Sequence, residues 1–217
     1  MLAIAGGKGG CGKTTTTYRL GRALADDGRS PLLVDADVEM PDLHSVAGVP
    51  REPGLAAVAD GRRPATVARA PDEHPDIAVL PATGADTDDL DAVVPRLRAW
   101  DGTVLLDCPA GAMTDAVRPL RHADRTLIVS TPRAASLRDA VKTAAIAREL
   151  DAPPLATVLV ETSPTDDAAT VPVDRARTAM NCPISACIPH VSSGDYATHP
   201  VRTAYERVAR KVQQRNI

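Results

Sequence analysis

The stretch Gly7-Lys8-Gly9-Gly10-Cys11-Gly12-Lys13-Thr14 decides the fold of this chain. It fits the pattern G-x-x-x-x-G-K-[S/T], it follows an apolar run at Leu2–Ala5, and it precedes a helical pattern at Thr14–Asp27. Glycines let successive backbone N–H groups curl around phosphate oxygens, and the helix that follows adds its positive end. A strand, this loop and a helix in that order predict a phosphate-binding loop.

The side chains of this stretch suit a phosphate group bound together with a metal ion. Lys13 is expected to reach the β- and γ-phosphates, Thr14 to offer its hydroxyl to Mg²⁺, and Thr15 to lie near the α-phosphate. The chain has 21 Arg and only four Lys, yet two of those lysines, Lys8 and Lys13, belong to this loop. A compact ammonium reaches phosphates where a planar guanidinium would clash. Lys8 therefore either contacts a phosphate of a neighbouring site or is a solvated lysine at the loop edge.

Short apolar runs alternate with longer helical patterns along the whole chain. This alternation is typical of a parallel sheet that helices cover on both faces. We therefore predict an α/β fold, a doubly wound and mostly parallel sheet of about seven strands, in a single P-loop domain that spans residues 1–217. The predicted strands are Leu2–Ala5, Pro31–Val34, Ile77–Leu80, Thr103–Leu106, Thr126–Val129, Ala156–Val160 and Pro183–Ile188. The predicted helices are Thr14–Asp27, Asp88–Ala99, Ala135–Leu150 and Val201–Gln214, and Gly48–Pro75 is the predicted excursion from the sheet.

Composition and charge narrow the class of protein. In 217 residues, 25 Lys plus Arg stand against 28 Asp plus Glu, and this balance argues against a chain held on nucleic acid or anionic lipid by its overall field. With no Phe, one Trp and three Tyr, base stacking on aromatic side chains is nearly excluded. Four Cys are too sparse for a secreted disulfide framework. No leader or long apolar segment is visible, so we expect a soluble cytoplasmic protein.

Carboxylates follow two of the predicted strands. Asp35 and Asp37 come after the second strand, and Asp107 ends the apolar run Thr103–Leu106, which is the Walker B pattern. The carboxyl ends of parallel strands meet at the edge of the sheet where ligands bind, so these side chains are expected near the phosphate loop. Asp107 is expected to hold Mg²⁺ through water.

Three neighbouring side chains are expected to have no chemical role. Asp42 and His44 have the pattern of a solvated loop after the second strand. Cys108, next to Asp107, is expected to be a small packed residue.

The run Gly6–Thr15 resembles the deviant Walker A motif of the ParA/MinD family of ATPases, including its extra signature lysine. In that family two subunits enclose two ATP molecules, so the resemblance implies ATP and Mg²⁺ as cofactors, with Lys13 acting in its own site and Lys8 in the site of the partner. It also implies that Asp35 lies near Mg²⁺ and that Asp37 orients the attacking water. The residues it places around the nucleotide are Gly7, Lys8, Gly9, Gly10, Cys11, Gly12, Lys13, Thr14, Thr15 and Pro189, with Lys8, Lys13 and Asp37 catalytic and Thr14, Asp35 and Asp107 at the metal.

The resemblance extends over nearly the whole chain. Cys108–Gly111 resembles the switch II segment of the family, and Ile188–Pro189 resembles the loop beside the adenine. One departure concerns the recognition of the base, because the segment Val160-Glu161-Thr162 stands where the family usually has an Asn that reads the base. The resemblance therefore leaves the base selectivity open.

Several interpretations of the downstream role stay open. The first is a slow ATPase that forms a homodimer when it binds ATP. This dimer would act as a switch that organises cell division, or positions chromosomes or other cargo, and a regulatory protein would be a further partner. No direct membrane anchor is expected, because residues 213–217 carry no apolar stripe. The alternatives are an Mrp-like iron–sulfur cluster carrier or scaffold using Cys182 and Cys187, and a nucleotide-binding regulatory protein that does not hydrolyse.

Non-specific DNA is a further candidate partner, because one face of the last predicted helix is basic. The alternative is a face that is merely solvated. Its basic residues are Arg202, Arg207, Arg210, Lys211 and Arg215.

Overall fold

Seven strands form one sheet in the residues that the structure, a computed structural model, describes, namely 1–111, 114–162, 170–191 and 198–215. The strands are β1 Leu2–Ala5, β2 Leu32–Asp35, β3 Ala78–Leu80, β4 Val104–Asp107, β5 Arg125–Ser130, β6 Pro154–Val160 and β7 Ile184–Ile188. They lie in the order β3-β2-β4-β1-β5-β6-β7, and each neighbouring pair is parallel. The predicted α/β sheet is confirmed.

The strands form where the sequence is apolar without interruption. Every residue of β1, β2 and β4 is buried, as expected for parallel strands with both faces covered. All seven predicted strands are present. Both β2 and β4 run one residue further than predicted, so that Asp35 and Asp107 are the last residues of their strands.

Helices connect the strands. The four predicted helices are confirmed with ends shifted by at most two residues, a difference within the usual uncertainty of helix ends. The helices are α1 Lys13–Asp26, α2 Leu43–Ala47, α3 Leu55–Ala59, α4 Pro64–Val67, α5 Thr87–Arg98, α6 Thr114–Val117, α7 Ala134–Glu149, α8 Val173–Met180 and α9 His199–Gln213, with a 3₁₀ helix at Pro119–His122.

The core lies on both faces of the sheet because successive strand residues point to opposite sides. On one face Leu105 of β4 joins a cluster that includes Leu24 of α1 and Val208 of α9. On the other face Leu106 joins a cluster that includes Leu97 of α5. A smaller cluster packs α7 and α8 against β5 and β6. The sheet is therefore covered on both sides, and its edge at the carboxyl ends of the strands carries the polar residues.

The segment that follows β2 is helical where a loop was predicted. The prediction of a loop at Asp42 and His44 is wrong, because Leu43–Ala47 forms α2 and Asp42 is its N-cap residue. The Leu43 amide donates to the Asp35 carboxylate over 3.1 Å, a tertiary contact that the local sequence does not reveal. Cys108 is 1% exposed, so its packed position is confirmed.

No helix in the described part of the chain combines the length and the apolar character that a bilayer crossing needs.

Candidate functional site

The glycine-rich loop between β1 and α1 is fixed by close packing at one end and open at the other. A Cβ on Gly7 would lie 2.4 Å from the carbonyl carbon of Asp139 in α7, so the loop lies directly against that helix. Gly9 and Gly10 have no atom within 4 Å of such a Cβ position. The loop therefore packs against α7 at Gly7 and presents open backbone at Gly9 and Gly10.

The helix after the loop begins where the sequence predicted phosphate binding. Gly12 is its N-cap residue with φ 92°, a left-handed conformation that favours glycine. Lys13 and Thr14 then form the first turn, whose N–H groups have no partner within the helix. Together with the positive end of the helix dipole, these amides form a site suited to an anion.

Two carboxylates lie side by side next to this loop. Asp35 and Asp107 are register partners on the adjacent strands β2 and β4, with exposed fractions of 0% and 2%. The hydroxyl of Thr17 donates to the Asp107 carboxylate over 3.1 Å. The Asp35 carboxylate accepts the amides of Asp37 and Leu43, at 3.2 and 3.1 Å.

Burial makes the charged form of both carboxylates unfavourable. Burial and the neighbouring charge of Asp107 raise the pKa of Asp35 to about 8. Burial also raises the pKa of Asp107 to about 7, against the lowering effect of the Thr14 and Thr17 hydroxyls and the Lys13 ammonium. A hard divalent cation stabilises such a pair, and oxygen donors are the ligands that Mg²⁺ prefers. Among the described residues no cluster of three or more His, Cys, Asp or Glu could hold a metal by itself, so the donor set suits Mg²⁺ that keeps water and phosphate ligands.

Asp37 stands apart from the buried pair. It is partly exposed, it lines the cleft, and its Oδ1 accepts the Met40 amide over 3.0 Å. Its second carboxylate oxygen accepts no hydrogen bond from the described residues. A carboxylate oxygen of Asp37 in the cleft could accept a hydrogen bond from a water.

A cleft of about 440 Å³ joins these features. Of the predicted site residues, Gly9, Gly10, Gly12, Lys13, Thr14, Thr15, Asp37, Asp107 and Pro189 line it. Four predicted residues do not line it. Gly7 packs on α7, and Cys11 is buried with its thiol 3.5 Å from the Val129 carbonyl oxygen. Asp35 is buried beside Asp107 on the neighbouring strand, and Lys8 is exposed.

The far end of the cleft, which we call the base end, is formed by the segments after β6 and β7 and by α9. Tyr205 of α9 reaches it, with its hydroxyl 3.2 Å from that of Thr16. In the sequence, Tyr205 shares the three- and four-residue spacing of the apolar residues Val201 and Val208, which is the pattern of a core residue, and this spacing does not reveal that Tyr205 lines the cleft. Burial, and secondarily the Glu161 charge, raise the pKa of the Cys187 thiol. The base end is lined by Val160, Glu161, Thr162, Ile188, Pro189, His190, Val191 and Tyr205.

The two C-terminal cysteines differ in environment. Cys182 is buried with its sulfur 3.0 Å from the Thr157 hydroxyl, whereas Cys187 is exposed on β7. This arrangement gives no shared thiol pair for a cluster. On α9 the predicted basic residues Arg202, Arg207 and Arg210 are exposed, and Arg202 lies 3.5 Å from Glu206.

Comparisons with known proteins fit this architecture. A family model described as the CobQ/CobB/MinD/ParA nucleotide binding domain matches residues 2–191. The septum site-determining protein MinD of Bacillus subtilis is 34% identical over 149 residues, which are 64% of this chain and 56% of that protein. An uncharacterised ATP-binding protein of Methanocaldococcus jannaschii is 29% identical over 197 residues, which are 87% of this chain and 73% of the length of that protein.

Solved structures agree in fold. The cell division ATPase MinD of Pyrococcus furiosus superposes with a TM-score of 0.86 at 27% identity, covering 98% of each chain. The MinD of Pyrococcus horikoshii, complexed with Mg-ADP, superposes with a TM-score of 0.86 at 24% identity. The match covers 99% of this chain and 96% of the Pyrococcus horikoshii chain. The chain thus spans these archaeal proteins almost completely, but its match to the bacterial MinD covers just over half of that protein.

Proposed function

This chain belongs to the CobQ/CobB/MinD/ParA family of nucleotide-binding domains, and on that premise we propose that it binds Mg-ATP and hydrolyses it slowly as a nucleotide-dependent switch. The observation that carries the proposal is the meeting of the glycine-rich loop with the Asp35 and Asp107 pair at one edge of the sheet. The MinD of Pyrococcus horikoshii, which has this fold, was solved with Mg-ADP, and this supports the choice of ligand.

The phosphates would lie on the loop and the start of α1. The first amides of α1 and the Lys13 ammonium would neutralise the negative charge of the β- and γ-phosphates. Backbone at Gly9 and Gly10 is open for this contact, and Thr15 lines the cleft close by. Gly7 and Cys11 would act indirectly, by fixing the loop against α7 and β5.

Thr14, Asp35 and Asp107 would hold Mg²⁺, with Asp107 acting through water and Asp35 beside it on the neighbouring strand. When bound, the ion would supply positive charge that offsets the negative charge of the phosphates. Thr17 holds the Asp107 carboxylate in place, and the Leu43 amide does the same for Asp35. These positioning contacts tie the metal site to α1 and α2.

Hydrolysis would need a water in line with the γ-phosphate. Asp37 lines the cleft, and one of its carboxylate oxygens is occupied by the Met40 amide, which fixes the side chain. The other oxygen would accept a hydrogen bond from that water and orient it for attack on phosphorus, with ADP as the leaving group.

Lys8 supports a role for a second copy of the chain. Lys8 is exposed and does not line its own cleft, so its ammonium is accessible to a phosphate bound to a partner. We propose an ATP-dependent homodimer on this basis. The same proposal includes a single domain over residues 1–217 and a location in the cytoplasm. It also includes a regulatory protein as partner and a role in positioning cell division, chromosomes or cargo.

Phosphate release and solution mass test the proposal. Lys13→Ala should abolish nucleotide binding, whereas Lys142→Ala, which removes an exposed lysine on α7, should leave phosphate release unchanged. Asp37→Ala should bind ATP, release no phosphate, and double its mass in light scattering with Mg-ATP but not with Mg-ADP. Adding Lys8→Ala should prevent the doubling. Phosphate release that persists in Asp37→Ala would contradict the role of that residue.

DNA binding through α9 is a second candidate, favoured by the exposed Arg202, Arg207 and Arg210. Affinity for a labelled duplex should fall steeply with salt and should drop in the double variant Arg207→Glu with Arg210→Glu. Equal affinity of that variant and the unmodified protein would rule out this surface. The buried Cys182 gives no support to an iron–sulfur carrier.

A further inference from the structure

A second cleft lies at the opposite end of the sheet from the phosphate loop. The loop follows the carboxyl end of β1, whereas this cleft is lined by residues that come just before β2 and β3, among them Ser30 and Ile77. Because the strands are parallel, these amino ends lie at the other edge of the sheet. The volume of this cleft, which we call the amino-end cleft, is about 550 Å³, within the range of ligand sites of roughly 300–1,000 Å³.

Hydrogen bonds hold two walls of the amino-end cleft in place. Arg69, which lines it, exchanges two backbone hydrogen bonds of 2.8 Å with Val79 of β3. Trp100, the single Trp of the chain, lines it as well and is half-buried. Its indole N–H donates to the Ser30 carbonyl over 2.8 Å. The backbone of one wall and the indole of another are therefore fixed without a ligand.

Two arginines line the amino-end cleft, Arg29 after α1 and Arg69 after α4. Neither guanidinium has an ion pair or a side-chain hydrogen bond with any residue that the structure describes. A guanidinium carries five N–H donors in a planar fork that matches the two oxygens of a carboxylate. Two such groups beside a fixed indole therefore indicate an anionic ligand that also has apolar parts.

The basic surface continues beyond the cleft along α4. Ala65 of α4 lines the cleft, and the Arg62 guanidinium donates to the Thr66 carbonyl of the same helix over 3.4 Å. Arg62 and Arg63 are both exposed immediately before α4. A small anion would occupy the cleft alone, whereas an extended chain would reach both the cleft and these arginines. The surface therefore fits a segment of a protein better than a small molecule.

The acids around the amino-end cleft favour carboxylates over nucleic acid as the ligand. Asp76 lines the cleft, and Asp26 and Asp27 stand at the C-terminal end of α1, whose carbonyl groups add negative charge. A nucleic acid backbone carries closely spaced charges and would meet these acids along its length. Carboxylates separated by apolar side chains avoid this repulsion, because the apolar side chains can lie against Pro75 and Trp100.

We propose that the amino-end cleft binds an acidic, extended segment of a partner protein, with carboxylates on Arg29 and Arg69 and apolar side chains against Trp100. Successive side chains of an extended segment point to opposite sides, so alternating acidic and apolar residues present both kinds together. The site uses neither the phosphate loop nor the buried carboxylates. Its binding is therefore measured without nucleotide, and its failure would leave the proposed switch untouched.

Trp100 gives a direct readout, because the fluorescence of a single Trp reports on the cleft that it lines. The probe is a blocked hexapeptide of alternating Glu and Leu, and the same peptide with Gln in place of Glu is its uncharged control. The test variant combines Arg29→Glu with Arg69→Glu. The matched control combines Arg121→Glu with Arg175→Glu, which changes the net charge equally at two exposed arginines that do not line the cleft.

The Glu peptide should change the Trp100 emission saturably, and its affinity should fall as salt is added. The Gln peptide should bind more weakly. In the test variant the affinity for the Glu peptide should fall roughly tenfold, because two exposed ion pairs are lost and like charges replace them. The control variant should bind the Glu peptide like the unmodified protein. Circular dichroism would show that both variants are folded.

Three results would overturn the proposal. The first is an unchanged Trp100 emission with the Glu peptide at low salt. The second is equal affinity of the test variant and the unmodified protein for that peptide. The third is tighter binding of a competing anion, either a thymidine hexanucleotide, which would indicate a nucleic acid site, or inorganic phosphate, which would indicate a site for small anions.

Discussion

Gly7→Ala should destabilise the folded protein, and Gly9→Ala should not, although both glycines belong to the same loop. A Cβ on Gly7 would lie 2.4 Å from both the carbonyl carbon and the Cβ of Asp139, and 2.6 Å from its carbonyl oxygen. Carbon atoms normally stay about 3.5–4.0 Å apart. The new methyl group therefore requires a shift of about 1 Å.

The atoms that would have to move belong to the backbone of α7. Asp139 lies within Ala134–Glu149, so the shift displaces a helix whose other face is packed on β5 and β6. Overpacking of this kind costs about 1–3 kcal/mol, and a backbone contact places Gly7→Ala at the upper end. At Gly9 no atom lies within 4 Å, so alanine should be neutral or stabilise slightly by restricting the unfolded chain.

Thermal and urea unfolding without nucleotide would measure the difference. For a chain of this size 1 kcal/mol corresponds to about 2–4 °C, so a loss of about 3 kcal/mol should lower the Tm of Gly7→Ala by about 6–12 °C relative to Gly9→Ala. Equal stability of the two variants would refute the packing argument. A stable Gly7→Ala protein that binds no nucleotide would instead favour a direct phosphate contact at Gly7, as the sequence pattern predicted.

Further predictions concern the helix cap, the buried carboxylates and the thiols. Asp86 caps α5 by accepting the Asp88 and Asp89 amides at 2.8 and 3.0 Å, so Asp86→Ala should lower the free energy of unfolding in urea by about 1 kcal/mol, and the exposed Asp72→Ala should not. In EDTA the free energy of unfolding should fall as pH rises from about 4 towards 8. The reason is that Asp35 binds its proton more tightly in the folded than in the unfolded protein. Asp35→Asn should therefore make the free energy of unfolding less dependent on pH in this range. One of the four thiols, Cys187, should react with Ellman's reagent in the native protein, since the other three are buried, and a second fast thiol would contradict the packing of the loop around Cys11.

The sequence predicted the parts of the fold whose signals are local. Each strand is a short apolar run, and the loop motif specifies its own context of strand and helix. The carboxylates were expected at the carboxyl edge of the sheet because they follow apolar strands. The order that places β2 next to β4, and hence Asp35 beside Asp107, depends on long-range pairing that no local pattern contains.

The features missed from the sequence depend on tertiary contacts. The short helix α2 begins where Asp35, eight residues earlier, accepts the Leu43 amide. Helix α8 buries only Ala176 and Met180, too few positions to give a clear periodic pattern. Tyr205 has the spacing of a core residue, and only the packing of α9 against α1 brings its hydroxyl to Thr16.

The site draws on both halves of the sheet, which meet at β1. The phosphate loop is fixed from the β5 side, where Gly7 packs on Asp139 and the Cys11 thiol lies 3.5 Å from the Val129 carbonyl oxygen. The proposed Mg²⁺ side comes from β2 and β4, where burial and the charge of Asp107 favour a protonated Asp35 over two ionised carboxylates. A nucleotide with its cation would therefore connect the two halves of the sheet, because the phosphates would lie on the loop and the cation would stabilise the ionised carboxylates. Nucleotide and Mg²⁺ should bind cooperatively, and because linkage is reciprocal, each should raise the affinity of the other by the same factor.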